Sequence, residues 1–554
     1  MKKILIIFTL FLCITGLKAE DPVLKTLMGE ATRNLDVLKK QTVPAYFIAY
    51  RLIDIEAISL SGTFGSISGG EPTHNRFLQV QTRVGDYHSD NSHEMKNADY
   101  SSDYENKQVP FEDGASSMED ILWQKTDESY KNAVQKYKQI KANSAVTTAS
   151  EDKSPDFSRQ KADINYEKPI HLKDLKIDVK KWEELLTRLS SLMNSNKDIK
   201  SGGISFSCEV QRRWFYNTEG SSNAENAVSF RLFVNMAAMT EDGMDLPLFK
   251  SYFAFKAEDL PTEKELSKEI LSMGSLLSEL KKAPLAEPYS GPSILSAEAA
   301  GVLFHEFFGH RVEGARMKQD GDAQTFKKKI GEKVLSEKIS VTYDPSIRTF
   351  QGQALNGSYT MDDEGVRGQR VEVVKDGILN GFLMSRTPLE GFPESNGHGR
   401  SAYYYNTPVT RQSNMFIKSS QPLSNDSLVG RLKKELKTSG KEYGYLFCSV
   451  SGGFTTTGRY TPNAFNVTPL VVYRIYADNR PQQLVRGVNM IGTPLSVFSQ
   501  ILECGDDYQI FNGTCGAESG GIPVACIAPA LLVRQIETQK KPKTGAIPPI
   551  LERP

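Results

Sequence analysis

His305-Glu306-Phe307-Phe308-Gly309-His310 places two imidazoles and a carboxylate within a turn and a half of helix, the donor and base types that a zinc hydrolase uses. The stretch before it, Ser296 to Phe304, reads as a helix with Ser296 at its N-cap and small or apolar residues after it, which makes a buried platform for ligands. The common zinc signature sets its histidines four apart, about 40° round a 3.6-residue helix. Here they are five apart. That is roughly 140° round the helix, so one metal requires the turn to widen into a π-bulge or to distort. Gly309 lies where the distortion falls, and glycine accepts irregular dihedrals at low steric cost. The competing reading is two unrelated histidines on a core helix, in a chain with seven histidines among 554 residues. A catalytic zinc also needs a third protein donor. Cysteine, glutamate, aspartate and the distant His398 are all chemically admissible, and periodicity does not choose among them.

With its surroundings, Ala299 to Gly314 (AAGVLFHEFFGHRVEG) resembles the metal-binding segment of the TldD/PmbA family of metalloproteases, in its catalytic TldD type with an H-E-x-x-x-H motif. Later segments resemble that family's blocks in order. They are Asp362-Asp363-Glu364-Gly365 with Gly368-Gln369, the hairpin-like Lys375 to Gly381, Asn396-Gly397 before Arg400, Gly513-Thr514-Cys515-Gly516, and Ile522-Pro523-Val524 with Ala528 to Leu531. The likeness is strong over about residues 290 to 535 and diffuse before them. Carried over position by position, it implies His305, His310 and Cys515 as Zn2+ ligands and Glu306 as general base. Without the likeness, Cys515 reads as a buried structural cysteine or half of a disulfide. The dipeptidyl peptidase III family has a similar H-E-L-L-G-H motif, but takes its third ligand from a glutamate-rich helical segment, and no such run follows His310.

The resemblance further implies cleavage of unfolded or small peptides held as an extended strand, with broad sequence preference. It also implies a homodimer, or a heterodimer with a PmbA-like subunit. Because PmbA-type partners generally lack the histidine set, a non-catalytic binding or scaffold role is the alternative from another class. His398, Arg400 and Tyr404, the last within a run of three tyrosines, are candidates to line the substrate cleft.

Sixty-seven basic residues balance 67 acidic ones, so no global field gathers polyanions, and nucleic-acid binding is not expected. Met1-Lys2-Lys3, the apolar run from Ile4 to Leu17, and Ala19 before Glu20 read as a secretory signal over residues 1–19. The expected location is therefore periplasmic or extracellular, a departure from the best-known TldD-type proteins, which are cytoplasmic. An uncleaved anchor is the competing reading. Leu12 stands before Cys13 where a lipoprotein has a small residue, so lipidation is not expected, and no later run supports stable membrane insertion. Removing Cys13 leaves Cys208, Cys448, Cys504, Cys515 and Cys526, an odd number that fits one metal-bound thiol. A Cys504–Cys526 disulfide is conceivable.

The pattern of elements predicts an α+β protein in two domains. The first, residues 20–285, reads as α/β. Leu24 to Leu38 has helical spacing, 45–60 and 76–84 alternate as strands do, and a capped helix runs from Ser116 toward Lys141. Residues 142–162 are polar and read as an exposed loop. Helices over 179–193 and 262–282 then flank strands over 203–213 and 227–239, which are joined by an Asn217-Thr218-Glu219-Gly220 turn. Pro284 to Pro292 reads as a hinge, 290–536 as a β-rich catalytic domain crossed by the ligand helix, and 537–554 as a flexible tail.

Overall fold

Three long strands, Ala45–Thr63, Ser201–Asn217 and Ser222–Met239, form the spine of an antiparallel sheet. Strands Thr73–Val84 and Asp245–Ala254 pair along it, the short Ser66–Gly69 and Ile164–Tyr166 complete seven strands, and Ile164–Tyr166 joins in parallel. The structure is a computed structural model that describes residues 21–93, 109–111, 113, 116–144, 152–318, 324–402, 407–455, 465–492, 497–541 and 551. The expected signal segment lies outside them.

Side chains alternate across a strand, so even-numbered residues of Ala45–Thr63 share one face. Ile48, Tyr50 and Leu52 pack against helices Pro22–Leu38 and Ser116–Ser144. Ile58 and Leu60 pack against Val179–Ser191 and Glu263–Lys282. The second of these helices opens on a capping box, Thr262 with Glu265. Between the two apolar stretches of that face lie Asp54 and Glu56. Arg212 Nη2 donates to Asp54 Oδ1 at 2.7 Å and to Glu56 Oε1 at 2.6 Å, and Arg76 Nε donates to Asp54 Oδ2 at 2.7 Å. His74 Nε2 also meets Asp54 Oδ1, at 2.6 Å.

The opposite face docks on the C-terminal half through buried ion pairs. Arg51 meets Asp363 at 3.0 Å, Glu219 meets the fully buried Arg386 at 2.8 Å, and Glu225 accepts the Thr360 N–H at 2.8 Å. The Asp362-Asp363-Glu364-Gly365 segment is thus an inter-sheet contact. A Cβ at Gly365, whose φ is +76°, would come within 2.2 Å of the Phe215 ring.

The C-terminal half is a mixed eleven-stranded sheet whose pairing path closes on itself. Tyr289–Leu295 pairs in parallel with Tyr443–Thr455, which pairs with Phe465–Tyr476. Val488–Gly492 and then Gly520–Lys540 follow, and Gly520–Lys540 returns to Tyr289–Leu295. Strand Ile501–Ala517 forms a long hairpin with Gly520–Lys540, turning at Gly520, whose φ is +85°. The helix Ala297–Phe307 packs on this ring, with Leu303, Phe304 and Phe307 in the largest apolar cluster.

Four expectations about the connections are corrected. The helix expected to stop near Lys141 runs to Ser144, and Asp152, Asp156, Phe157 and Ser158 beyond it are buried, because Phe157 stacks under Arg386 and the Ser158 carbonyl accepts from it. Residues 145–151 lie outside the described residues. The stretch read as a hinge is fixed to the second sheet, since Ala286 is buried and its N–H donates to Arg486 O at 2.8 Å. The stretch read as tail is paired strand through Lys540. All five described cysteines are free. The hairpin register sets Cys504 opposite Leu531, five residues from Cys526, a separation near 17 Å at about 3.4 Å per residue and far beyond disulfide reach.

Candidate metal centre

Ser296 caps the ligand helix as expected: its Oγ accepts from Ala299 N at 3.2 Å and donates to Cys448 O at 2.7 Å, tying the helix start to the ring. The five-residue histidine spacing is resolved by ending the helix, not by widening it. α-Helical bonding stops with Phe308 N–H to Phe304 O, and a 3₁₀ turn over Gly309–Arg311 follows, with Arg311 N–H on Phe308 O. This swings His310 back toward His305, and their ring centroids are 5.1 Å apart. Arg311 Nη1 donates to the Glu306 and Phe307 carbonyls at the helix end, where main-chain acceptors run out of helical donors. Gly309 is required here for closeness, and its φ is not positive: a Cβ would lie 2.0 Å from Gln412 Oε1.

His305, His310 and Cys515, all buried, form one of two groups of such side chains whose donor atoms lie within 4.8 Å of one another among the described residues. His310 Nε2 is 3.4 Å from Cys515 Sγ. Tetrahedral zinc bonded at about 2.05 Å to nitrogen and 2.3 Å to sulfur sets those atoms about 3.6 Å apart, so the pair stands at the spacing zinc needs. The other imidazole nitrogen of His310, Nδ1, is 3.1 Å from Glu313 Oε2, the carboxylate partner that orients a ligating histidine. The donor set fits zinc.

Burial works against charge on Glu313, but His310 and Arg316 outweigh it and hold its pKa at about 2. For His310, burial likewise opposes protonation and is outweighed by Glu313 and the Cys515 sulfur, which raise the pKa to about 10. Burial disfavours the Cys515 thiolate, yet the two imidazoles bring its pKa well below the usual thiol value. Burial raises the pKa of Glu306, against the opposing influence of both histidines.

The three donors and Glu306 line a cavity of about 430 Å³. Ser451, Gly452 and Gly453 form one wall, and Thr514 to Glu518 another. His398 is not in it. Fully buried, it bonds Ser413 Oγ through Nε2 at 3.0 Å and the Asn396 side chain through Nδ1 at 3.0 Å, and burial lowers its pKa to about 3, so it is a satisfied core histidine. Arg400 is also spent on structure. Its Nη1 donates to Gln412 O and Pro523 O, because two segments leave carbonyls there that need a donor, and it lies over the Tyr359 ring. Tyr404 lies outside the described residues. Glu313 and Arg316 were missed from sequence, although a glutamate three residues after the second histidine was a legible signal for the first.

Residues 289–540 match the family profile described as PmbA/TldA metallopeptidase C-terminal domain. The chain is 27% identical to a metalloprotease of Methanocaldococcus jannaschii over 367 residues, 65% of this chain and 74% of that protein. It is 23% identical over 375 residues to a protein of Saccharolobus solfataricus named zinc metalloprotease TldD homolog, covering 65% of this chain and 77% of that one. The crystal structure of TldE from Thermococcus kodakarensis has a similar fold, with a TM-score of 0.61 at 14% identity, covering 93% of this chain and 99% of that one.

Proposed function

We propose that this chain, whose residues 289–540 match the PmbA/TldA metallopeptidase C-terminal profile, is a zinc-dependent peptidase of the TldD/PmbA family acting on unfolded or small peptides. The observation that carries the reading is the convergence of His305, His310 and Cys515 on one buried point beside Glu306, with His310 and Cys515 at zinc-ligand spacing. Zinc held by these three residues would supply a Lewis acid for the scissile carbonyl and lower the pKa of water. Glu306 takes the proton of the attacking water and returns it to the leaving amine, and its burial, which raises its pKa, suits both transfers. Glu313 fixes the His310 ring by accepting at Nδ1, so Nε2 is the nitrogen turned to Cys515.

Two strand edges flank the cavity and support an extended substrate. Residues 508–517 pair only with Gly520–Lys540, and residues 453–455 only with Phe465–Tyr476, among the described residues. A peptide laid along either edge gains main-chain hydrogen bonds without side-chain selection, whereas a folded protein has no free strand to offer. Export by the N-terminal segment and pairing with a PmbA-like subunit belong to the same proposal. Fractionation of cells and the mass of the native complex test them, and retention in the cytoplasm or a monomer counts against each.

The deciding experiment compares Glu306→Gln with the unaltered chain on a denatured peptide library. The expected result is near-stoichiometric zinc in both and a cleavage rate lowered by about 10²–10⁴ in the variant. Undiminished turnover removes Glu306 from its role. Absence of zinc from the repleted unaltered protein favours the scaffold role.

A further inference from the structure

The three donors come from two elements far apart in the chain, the helix end and the Ile501–Ala517 hairpin, and one dipeptide touches both from behind. Arg411 and Gln412 are fully buried. Arg411 Nη2 donates to the carbonyl of Cys515 at 2.6 Å, and its Nη1 donates to Ser519 Oγ at 2.8 Å and Gly520 O at 2.9 Å. One guanidinium therefore fixes the main chain of the sulfur donor and the turn that closes its hairpin.

On its other side Arg411 Nε is 3.9 Å from Glu313 Oε1, and neither atom has a hydrogen-bond partner. The second oxygen of that carboxylate holds His310. Gln412 Nε2 donates to the carbonyl of His305 at 3.3 Å, its Oε1 accepts from the Tyr343 hydroxyl at 3.3 Å, and the amide fills the space that Gly309 leaves open. Two consecutive residues thus reach the backbone of two donors and, through Glu313, the ring of the third.

We propose that Arg411 and Gln412 are positioning residues that hold the helix end and the hairpin in metal-binding register, with Glu313 linking Arg411 to His310. The inference rests on the metal site proposed above. A planar fork suits the role because it binds three oxygens in one fixed geometry, which an ammonium on a flexible stem does not reproduce. The strand that follows, Asn414–Ser419, runs parallel to Gly520–Lys540, so the dipeptide is itself anchored to the sheet that carries the hairpin.

The test measures zinc affinity by chelator competition and the absorption spectrum of the cobalt-loaded protein in Arg411→Lys, Glu313→Gln and Arg386→Lys. Arg386 is an equally buried guanidinium between the two sheets and gauges structural loss alone. Arg411→Lys and Glu313→Gln are expected to weaken zinc binding about 10–100-fold and to alter the cobalt bands, with the double variant losing less than the two losses combined. Arg386→Lys is expected to lower the unfolding temperature and leave affinity and spectrum unchanged. Zinc affinity within about twofold of the unaltered protein in Arg411→Lys and Glu313→Gln, or an equal loss in Arg386→Lys, overturns the proposal. Should Arg411→Lys fail to fold, the nearly isosteric Glu313→Gln decides alone. A protein that binds no zinc before substitution overturns the metal site and the positioning role with it, whereas tight zinc that is indifferent to these residues overturns only the latter.

Discussion

Among the described residues, two groups of three metal-ligand side chains have donor atoms within 4.8 Å of one another, Asp54 with Glu56 and His74 on the first sheet, and His305 with His310 and Cys515 at the ligand helix. They differ in where the arginines stand. At Asp54 the guanidiniums of Arg76 and Arg212 bond the carboxylate oxygens directly, so the cations are already part of the fold. At the second place the guanidiniums are displaced outward. Arg316 is on Glu313, and Arg411 is on the Cys515 carbonyl. The imidazole and sulfur atoms of His310 and Cys515 are thereby left facing each other. The position of the protein's own cations separates a structural ion cluster from a site built to receive one.

Cys515→Ser puts the comparison at greatest risk. Zinc affinity is expected to fall by more than about 100-fold, beyond the loss from altering a residue behind a ligand. Full affinity, measured by chelator competition, would reopen a set in which a carboxylate takes the sulfur's place.

Asp54→Asn is the counterpart on the first sheet. Removing one partner of a buried ion cluster costs about 3–5 kcal/mol of stability, read by urea unfolding, while zinc content is expected to stay unchanged. The acid dependence has a defined sign. Burial opposes the charge of Asp54, but Arg212 and Arg76 outweigh it, so its folded pKa lies below the usual 3.8. The stability it contributes is complete above the unfolded value near 4 and is lost as pH falls through the lower folded value. The variant is expected to lack that share of the acid slope, at most about 1.4 kcal/mol per pH unit. An unchanged slope, or zinc lost along with stability, would break the contrast.

The smallest effect is expected from oxidation of the chelated protein. Read without the family likeness, Cys515 could be half of a disulfide with neighbours such as Cys504 or Cys526, but the register places Cys515 opposite Ile522, four residues short of Cys526. Peptide mapping is expected to find no disulfide joining these residues unless the chain has unfolded. Such a link in the folded protein would contradict the hairpin.

Most of the local architecture was legible because its causes are local. Ser296 and Thr262 cap the helices they precede, and the strands over 45–63 and 201–217 contain the alternating runs that announced them. The two histidines of the candidate metal centre were legible as types, and the break at Gly309 as a place. What stayed hidden depends on contacts between distant segments. Nothing around Gln412 signals that its amide occupies the space beside Gly309, and nothing near His398 reveals that Ser413 and Asn396 satisfy it in the core. Polarity misled at 152–158, where Asp152 is buried accepting the Ser154 and Glu390 N–H groups and Asp156 is buried against His93.

The sulfur donor follows the second histidine by 205 positions, and the strand that closes the ring follows the sulfur. On a ribosome adding about 5–20 residues per second, the imidazoles precede their sulfur by about 10–40 s. In a nascent chain the proposed peptidase centre therefore lacks one donor until the hairpin that carries Cys515 arrives, and the chain's unfolded segments are the very kind of substrate proposed for it. If the centre cleaves as proposed, the order of synthesis shields the polypeptide from itself.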